Sequence, residues 1–183
     1  MLARNAYRSV FGVALATAFV LLIPLLTAPA WNLADFVFAG ALLFGTGLTF
    51  VLVAKAGNSA YRFAFGVALA AAFILVWLTG AVGIIGSEDN NANVMYFGVL
   101  AVGIIGAIIA RLRPPGMARA LFATALAQAL VSVIALIITL GSPGSPPGVL
   151  GTLILNGFFV GLFVGSAWLF REAARGGPER GAV

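Results

Sequence analysis

The sequence predicts an all-α integral membrane protein, a six-helix bundle built from three parallel repeats of a two-helix hairpin. Three observations lead there: the length of the apolar runs, the one-sided placement of the basic residues, and a phrase that recurs along the chain. Apolar runs at 9–28, 33–53, 63–85, 94–110, 120–140 and 149–170 each approach the roughly 20 residues that cross a hydrocarbon core of about 30 Å. A backbone in lipid must satisfy its own hydrogen bonds, which makes each run a helix. Composition agrees. Of 183 residues, 62% are hydrophobic and 8% charged, with a mean hydropathy of +1.13, whereas a soluble domain has about a quarter of its residues charged.

The ten basic residues are Arg4, Arg8, Lys55, Arg62, Arg111, Arg113, Arg119, Arg171, Arg175 and Arg180. Numbering the segments outside the runs from the N-terminus, all ten fall in odd-numbered ones. Short loops retain Lys and Arg on the cytoplasmic side, so both termini are expected there. A pI near 10.8 invites a nucleic-acid reading, but these charges are scattered through short loops with no domain to gather them. No nucleic-acid partner is expected. Membrane lipids are, because arginines beside the inner leaflet attract anionic headgroups.

The first run opens after Arg4 and Arg8 and closes on "TAPA" at Ala30, features shared with a signal peptide and its A-x-A cleavage site. The run is long enough to span and its phrase recurs, so a retained helix is expected, kinked where Pro24 lacks a backbone donor. Asn32 and Asp35, three apart, resemble a capping pair before the second helix. The third helix restarts the first: "YRSVFGVALATAFVL" from Tyr7 and "YRFAFGVALAAAFIL" from Tyr61 agree at eleven of fifteen positions. "ARALFATALAQA" from Ala118 is a fainter copy at the start of the fifth. The second helix of each unit echoes too, Gly40, Leu42 and Gly45 aligning with Gly98, Leu100 and Gly103. Repeat units of about 7–60, 61–117 and 118–170 then make up one domain over 1–170, related by an axis along the membrane normal. Residues 171–183, "REAARGGPERGAV", read as a disordered cytoplasmic tail.

The hexapeptide AVGIIG occurs twice, around Gly83 and Gly86 and around Gly103 and Gly106. Glycines three or four apart share a helix face, and small residues let membrane helices approach closely. Helix packing is the expectation for both pairs, and for Gly157, Gly161 and Gly165 on the last helix.

Inside the runs there is no ionisable group near the midplane, and the chain has no Cys and no His. The usual proton shuttle, thiolate nucleophile and commonest metal ligand are thus missing, and buried charges of the kind that mark coupled transport are not found. No catalytic residue, cofactor site or metal site is assigned. Uncharged polar residues remain. Thr124, Gln128 and Ser132 stack on one face of the fifth helix, and Asn156 reaches a similar depth in the sixth at about 1.5 Å per residue. A Gln128–Asn156 hydrogen bond is expected, as interhelical adhesive or as the polar lining of a solute path. Asp35, Glu88 and Asp89 on the outer side read first as helix caps and second as an acidic rim for a cation or basic partner. Trp31 and Tyr96 are expected as interfacial anchors outside, Tyr7 and Tyr61 inside.

The stretch from Ala81 to Leu130, above all its AVGIIG-SEDN phrase, resembles a group of small, multispanning bacterial membrane proteins of uncharacterised function. The resemblance implies a bacterial inner-membrane setting and transfers no site residues. Two functions fit the sequence. One is a non-enzymatic structural or accessory subunit, or a bundle that binds lipid, other membrane proteins or itself. The other is a channel or facilitator for a small neutral solute.

Overall fold

A computed structural model describes residues 2–55, 57–87, 89–142 and 144–176. The described residues are helical apart from turns and connectors: α1 (Leu2–Thr27), α2 (Leu33–Ala54), α3 (Ser59–Ala81), α4 (Met95–Ile109), α5 (Pro114–Leu140) and α6 (Gly148–Arg175). Among them, six segments are long and apolar enough to cross a membrane.

Local chemistry sets the helix ends, and it moves several of them from where hydropathy alone puts them. Before α2, Asn32 Oδ1 accepts from the N–H groups of Ala34 and Asp35, and Asp35 Oδ2 accepts from the N–H of Asn32 at 2.7 Å. This reciprocal box satisfies donors that no helix turn can reach. Asn58 does the same for α3 through the Tyr61 N–H at 2.8 Å, so α3 starts four residues before its apolar run. Proline in the first turn of α5 lets that helix begin at Pro114, ahead of Ala120. Helix α6 continues to Arg175, where Arg175 Nη1 donates to Glu172 Oε1 at 2.8 Å. The first residues of the expected tail are therefore helix; 177–183 lie outside the described residues.

The chain divides into two compact units, Met1–Gly57 and Asn58–Val183. In the first, α1 and α2 form a hairpin. A Cβ on Gly40 would meet Leu21 Cδ1 at 3.3 Å and one on Gly47 would meet Val13 Cγ1 at 2.9 Å, so these two glycines set how closely the helices approach. Lys55 Nζ donates to Ser9 Oγ at 2.7 Å across the open end of the hairpin.

The second unit is a four-helix arrangement. Helices α5 and α6 pair most closely, α4 lies against α5, α3 lies against α6, and α3 and α4 touch only lightly. Spatial order is therefore α3, α6, α5, α4, with neighbours antiparallel. The buried face of α3 carries Tyr61, Ala64, Phe65, Ala68, Ala71 and Leu75 at helical spacing. It docks on α6, where Ser166 Oγ donates to Ala64 O at 2.7 Å and the Phe170 ring stands edge-on to Tyr61 at 5.2 Å. Tyr61 OH donates to Leu112 O at 2.9 Å, which ties the start of α3 to the α4–α5 turn. Arg62, Arg111, Arg113, Arg119, Arg171 and Arg175 all sit towards this end of the unit.

Candidate functional site

The polar residues singled out on α5 and α6 converge inside the second unit. Asn156 is the hub. Its Nδ2 donates to Thr152 O at 2.9 Å, which fixes the amide orientation and aims Oδ1 at α4 and α5. Three donors surround that oxygen: Tyr96 OH at 3.0 Å, Gln128 Nε2 at 3.0 Å and Ser132 Oγ at 3.1 Å. A carbonyl oxygen offers two lone pairs. Ser132 has a single proton and a shorter alternative, Gln128 O at 2.6 Å. The proton goes there, which leaves Oδ1 to Tyr96 and Gln128. Three helices are thereby joined at one atom.

A second polar pair lies one turn along α6. Thr139 Oγ1 and Thr152 Oγ1 are 3.2 Å apart, and Thr139 also lies 2.9 Å from Ala135 O. With the Thr139 proton on Ala135 O, Thr152 is the donor to Thr139. Thr124 is buried as well, but its hydroxyl goes to Ala120 O at 2.9 Å and it takes no part in the hub. Thr124 instead lies against α4: a Cβ on Gly103 would meet Thr124 Oγ1 at 3.2 Å.

One acceptor in the cluster is left over. With Gln128 Nε2 committed to Asn156, its Oε1 points elsewhere and has no partner, although Gln128 is fully buried. Leaving a buried acceptor unmatched costs about 1–3 kcal/mol. Among the described residues, Thr79 Oγ1 is the other buried orphan.

Tyr96 corrects an expectation. It is not an anchor at the membrane surface: its ring is fully buried and its hydroxyl reaches the hub. Aromatic residues near a run's end invite the interfacial reading, and only the helix rotation, which turns Tyr96 towards α6, decides otherwise. Tyr61 is likewise buried, while Tyr7 stays exposed.

The glycines divide three ways. Gly103 and Gly106 lie against α5, Gly106 so closely that a Cβ would lie 2.7 Å from Ala120 Cβ. Gly83 and Gly86 do not share a helix face, because α3 ends at Ala81. They have φ of 80° and 69°, a left-handed conformation that side chains rarely adopt. Their role is to turn the chain. Gly157, Gly161 and Gly165 have nothing within 4 Å of a built Cβ among the described residues of their unit, so the expected packing of that face is not made within it.

The acidic loop also departs from simple capping. Asn90 Oδ1 caps a short 3-10 turn, Asn91–Val94, by accepting from the Ala92 N–H at 3.0 Å. Asn93 turns back on the preceding loop. Its Oδ1 accepts from the N–H groups of Ile84 and Ile85 at 3.0 and 2.9 Å, and its Nδ2 donates to Ser87 O at 2.8 Å and Ile85 O at 3.4 Å. Of the rim residues, Asp35 belongs to the first unit and is occupied in the α2 capping box, Asp89 lies in the loop of the second unit, and Glu88 lies outside the described residues. Among the described residues, no three acidic, His or Cys side chains gather as metal ligands would.

The cluster offers neutral hydrogen-bonding groups that join α4, α5 and α6, and leaves the Gln128 Oε1 acceptor unmatched. Compared with known protein families, curated proteins and solved structures, the chain finds no match.

Proposed function

We propose that this chain is a non-enzymatic component of a bacterial inner membrane, an accessory or structural subunit that binds lipid, other membrane proteins or a second copy of itself. The observation that carries this reading is the Asn156 hub. The polar groups best placed to line a solute path are used on one another, with both Oδ1 lone pairs and the Nδ2 occupied. Both termini face the cytoplasm in this proposal, with the basic ends of the helices on that side. The threefold repeat belongs to it too. What supports it is the phrase shared by the segments from Tyr7 and Tyr61, eleven of fifteen positions.

A facilitator for a small neutral solute is the second reading, favoured by one observation: the unpartnered Gln128 Oε1 at the foot of the Thr139, Thr152 and Asn156 column. Liposome flux separates the two. Reconstituted wild type is compared with Gln128→Leu and Asn156→Leu, with helix content checked by circular dichroism. Solute flux that Gln128→Leu abolishes in a folded protein would defeat the subunit reading. Absence of flux, with a stoichiometric protein or lipid retained through mild detergent purification, supports it.

A further inference from the structure

We propose that the α4–α5 turn is a site for the headgroup of an anionic phospholipid, held by Arg111 and Arg113 with Arg171 beside them. This site rests on the lipid-binding reading above, and gives that lipid a charge and a place.

The turn is strained. Helix α4 closes with the Leu112 N–H on Ala107 O at 3.2 Å and the Arg111 N–H on Ile108 O at 3.0 Å. Glycine usually supplies the left-handed residue of such an ending. Here two residues with side chains take that conformation in succession, Arg111 at φ 50° and Leu112 at φ 56°. Their β-carbons crowd the following carbonyl, and strain of this kind persists only where the surroundings over-determine it. They do so here. The Tyr61 hydroxyl donates to Leu112 O at 2.9 Å, and Pro114 and Pro115 open α5 directly after the turn. A Cβ on Gly116 would lie 2.7 Å from Ala110 Cβ, so α5 starts hard against the end of α4. The turn is pinned from α3 and from both helices it joins.

What the pinned turn presents is positive charge. Arg111 and Arg113 flank Leu112 and both are exposed. Neither has a carboxylate partner among the described residues, whereas Arg175 pairs with Glu172. Tyr61 draws a third guanidinium to the same place, because its ring stands 5.2 Å from Phe170, the neighbour of Arg171. Arg171 Cζ lies 5.8 Å from the centre of the Trp168 ring, and Trp168 is 57% exposed. An exposed indole near a helix end suits the headgroup level of a bilayer. Arginine forks match the oxygens of a phosphodiester, and basic groups between helix ends take anionic headgroups. Lipid is favoured over free phosphate by Ile108 and Ile109, exposed one turn before the arginines, where acyl chains can lie.

Lipid retention tests the site. The full chain, delipidated in detergent, is titrated with equal amounts of phosphatidylglycerol and phosphatidylcholine and read by native mass spectrometry, with helix content checked by circular dichroism. Wild type should prefer phosphatidylglycerol at least about fivefold, and Arg111→Gln and Arg113→Gln should each cut that preference about fivefold. Arg113→Lys should restore only part of it, since it keeps the charge and loses the fork. Arg111→Asn, better suited to a left-handed residue, should raise the melting temperature while losing the preference. Arg175→Gln, already paired with Glu172, should leave the preference unchanged. Equal retention of the two lipids by wild type overturns the site. So does an equal loss from Arg175→Gln, which means diffuse charge alone, and so does displacement of the lipid by millimolar inorganic phosphate. In each of these cases the subunit reading is still decided by the flux assay.

Discussion

Helices α1 and α3 start from nearly the same fifteen residues and end in opposite environments. Tyr7 and Phe11 are 76% and 70% exposed; their counterparts Tyr61 and Phe65 are each 6% exposed. Nothing in the shared phrase accounts for this. What differs is the neighbour within each unit. Helix α3 meets α6, which supplies the Phe170 ring and the Ser166 hydroxyl. In its unit α1 meets α2, along Val13 and Leu21, of which Leu21 is the counterpart of the buried Leu75 while Tyr7 and Phe11 are left out of the contact. A membrane helix has no aqueous penalty to force its apolar face inward, since lipid is as apolar as leucine. One phrase can therefore serve as core in one place and remain bare in another.

The largest expected effect removes what only the second unit possesses. Asn156→Leu strands the Tyr96 hydroxyl and the Gln128 amide in the interior, at about 1–3 kcal/mol for each unmatched group. Unfolding in mixed micelles, followed by circular dichroism, should show the α3–α6 unit destabilised by several kcal/mol. An undisturbed midpoint would mean that the hub contributes nothing to holding three helices.

Next come the glycines. Gly106→Val forces α4 off Ala120 and should cost about 1–3 kcal/mol by overpacking. Gly45→Val, in a position with nothing within 4 Å, should stay within about 0.5 kcal/mol. Equal losses at both positions would contradict the assignment of close packing to Gly106 alone.

The repeat itself supplies matched pairs. Phe65→Ala should lower stability by about 1–3 kcal/mol, less than in a water-soluble core because lipid can take up the exposed surface. Phe11→Ala should change it by under about 0.5 kcal/mol. If Phe11→Ala is as costly as Phe65→Ala, α1 has a partner covering that face. The smallest effect is a single hydroxyl. Tyr61→Phe loses the bond to Leu112 O, about 1 kcal/mol, and Tyr7→Phe should be silent in the same melt.

Much of the fold is legible in the order of residues. Run length gave six spans, because the thickness of the hydrocarbon core is fixed and backbone hydrogen bonding leaves helices as the way across it. The Asn32–Asp35 box could be read from spacing alone, since capping is local. Gln128 and Asn156 could be brought to one depth from residue counts and the helical rise. Other features were not legible. Gly83 and Gly86 obey the same spacing as Gly103 and Gly106, yet they turn a loop, because the helix had already ended. Asn93 grips Ile84 and Ile85 through a fold-back that no periodicity marks. Tyr96 sat where interfacial tyrosines sit.

By itself the sequence determined where this chain meets lipid and which groups it lacks, since transfer free energy and side-chain chemistry are properties of residues taken singly. Only the tertiary structure decided which face of each helix is inside, which of two identical hexapeptides packs, and which polar groups share an oxygen. Those outcomes depend on helix rotation and on the choice of neighbour. Both are relations between segments, and lipid, which solvates any apolar face equally well, leaves them to be settled by close packing and hydrogen bonds alone.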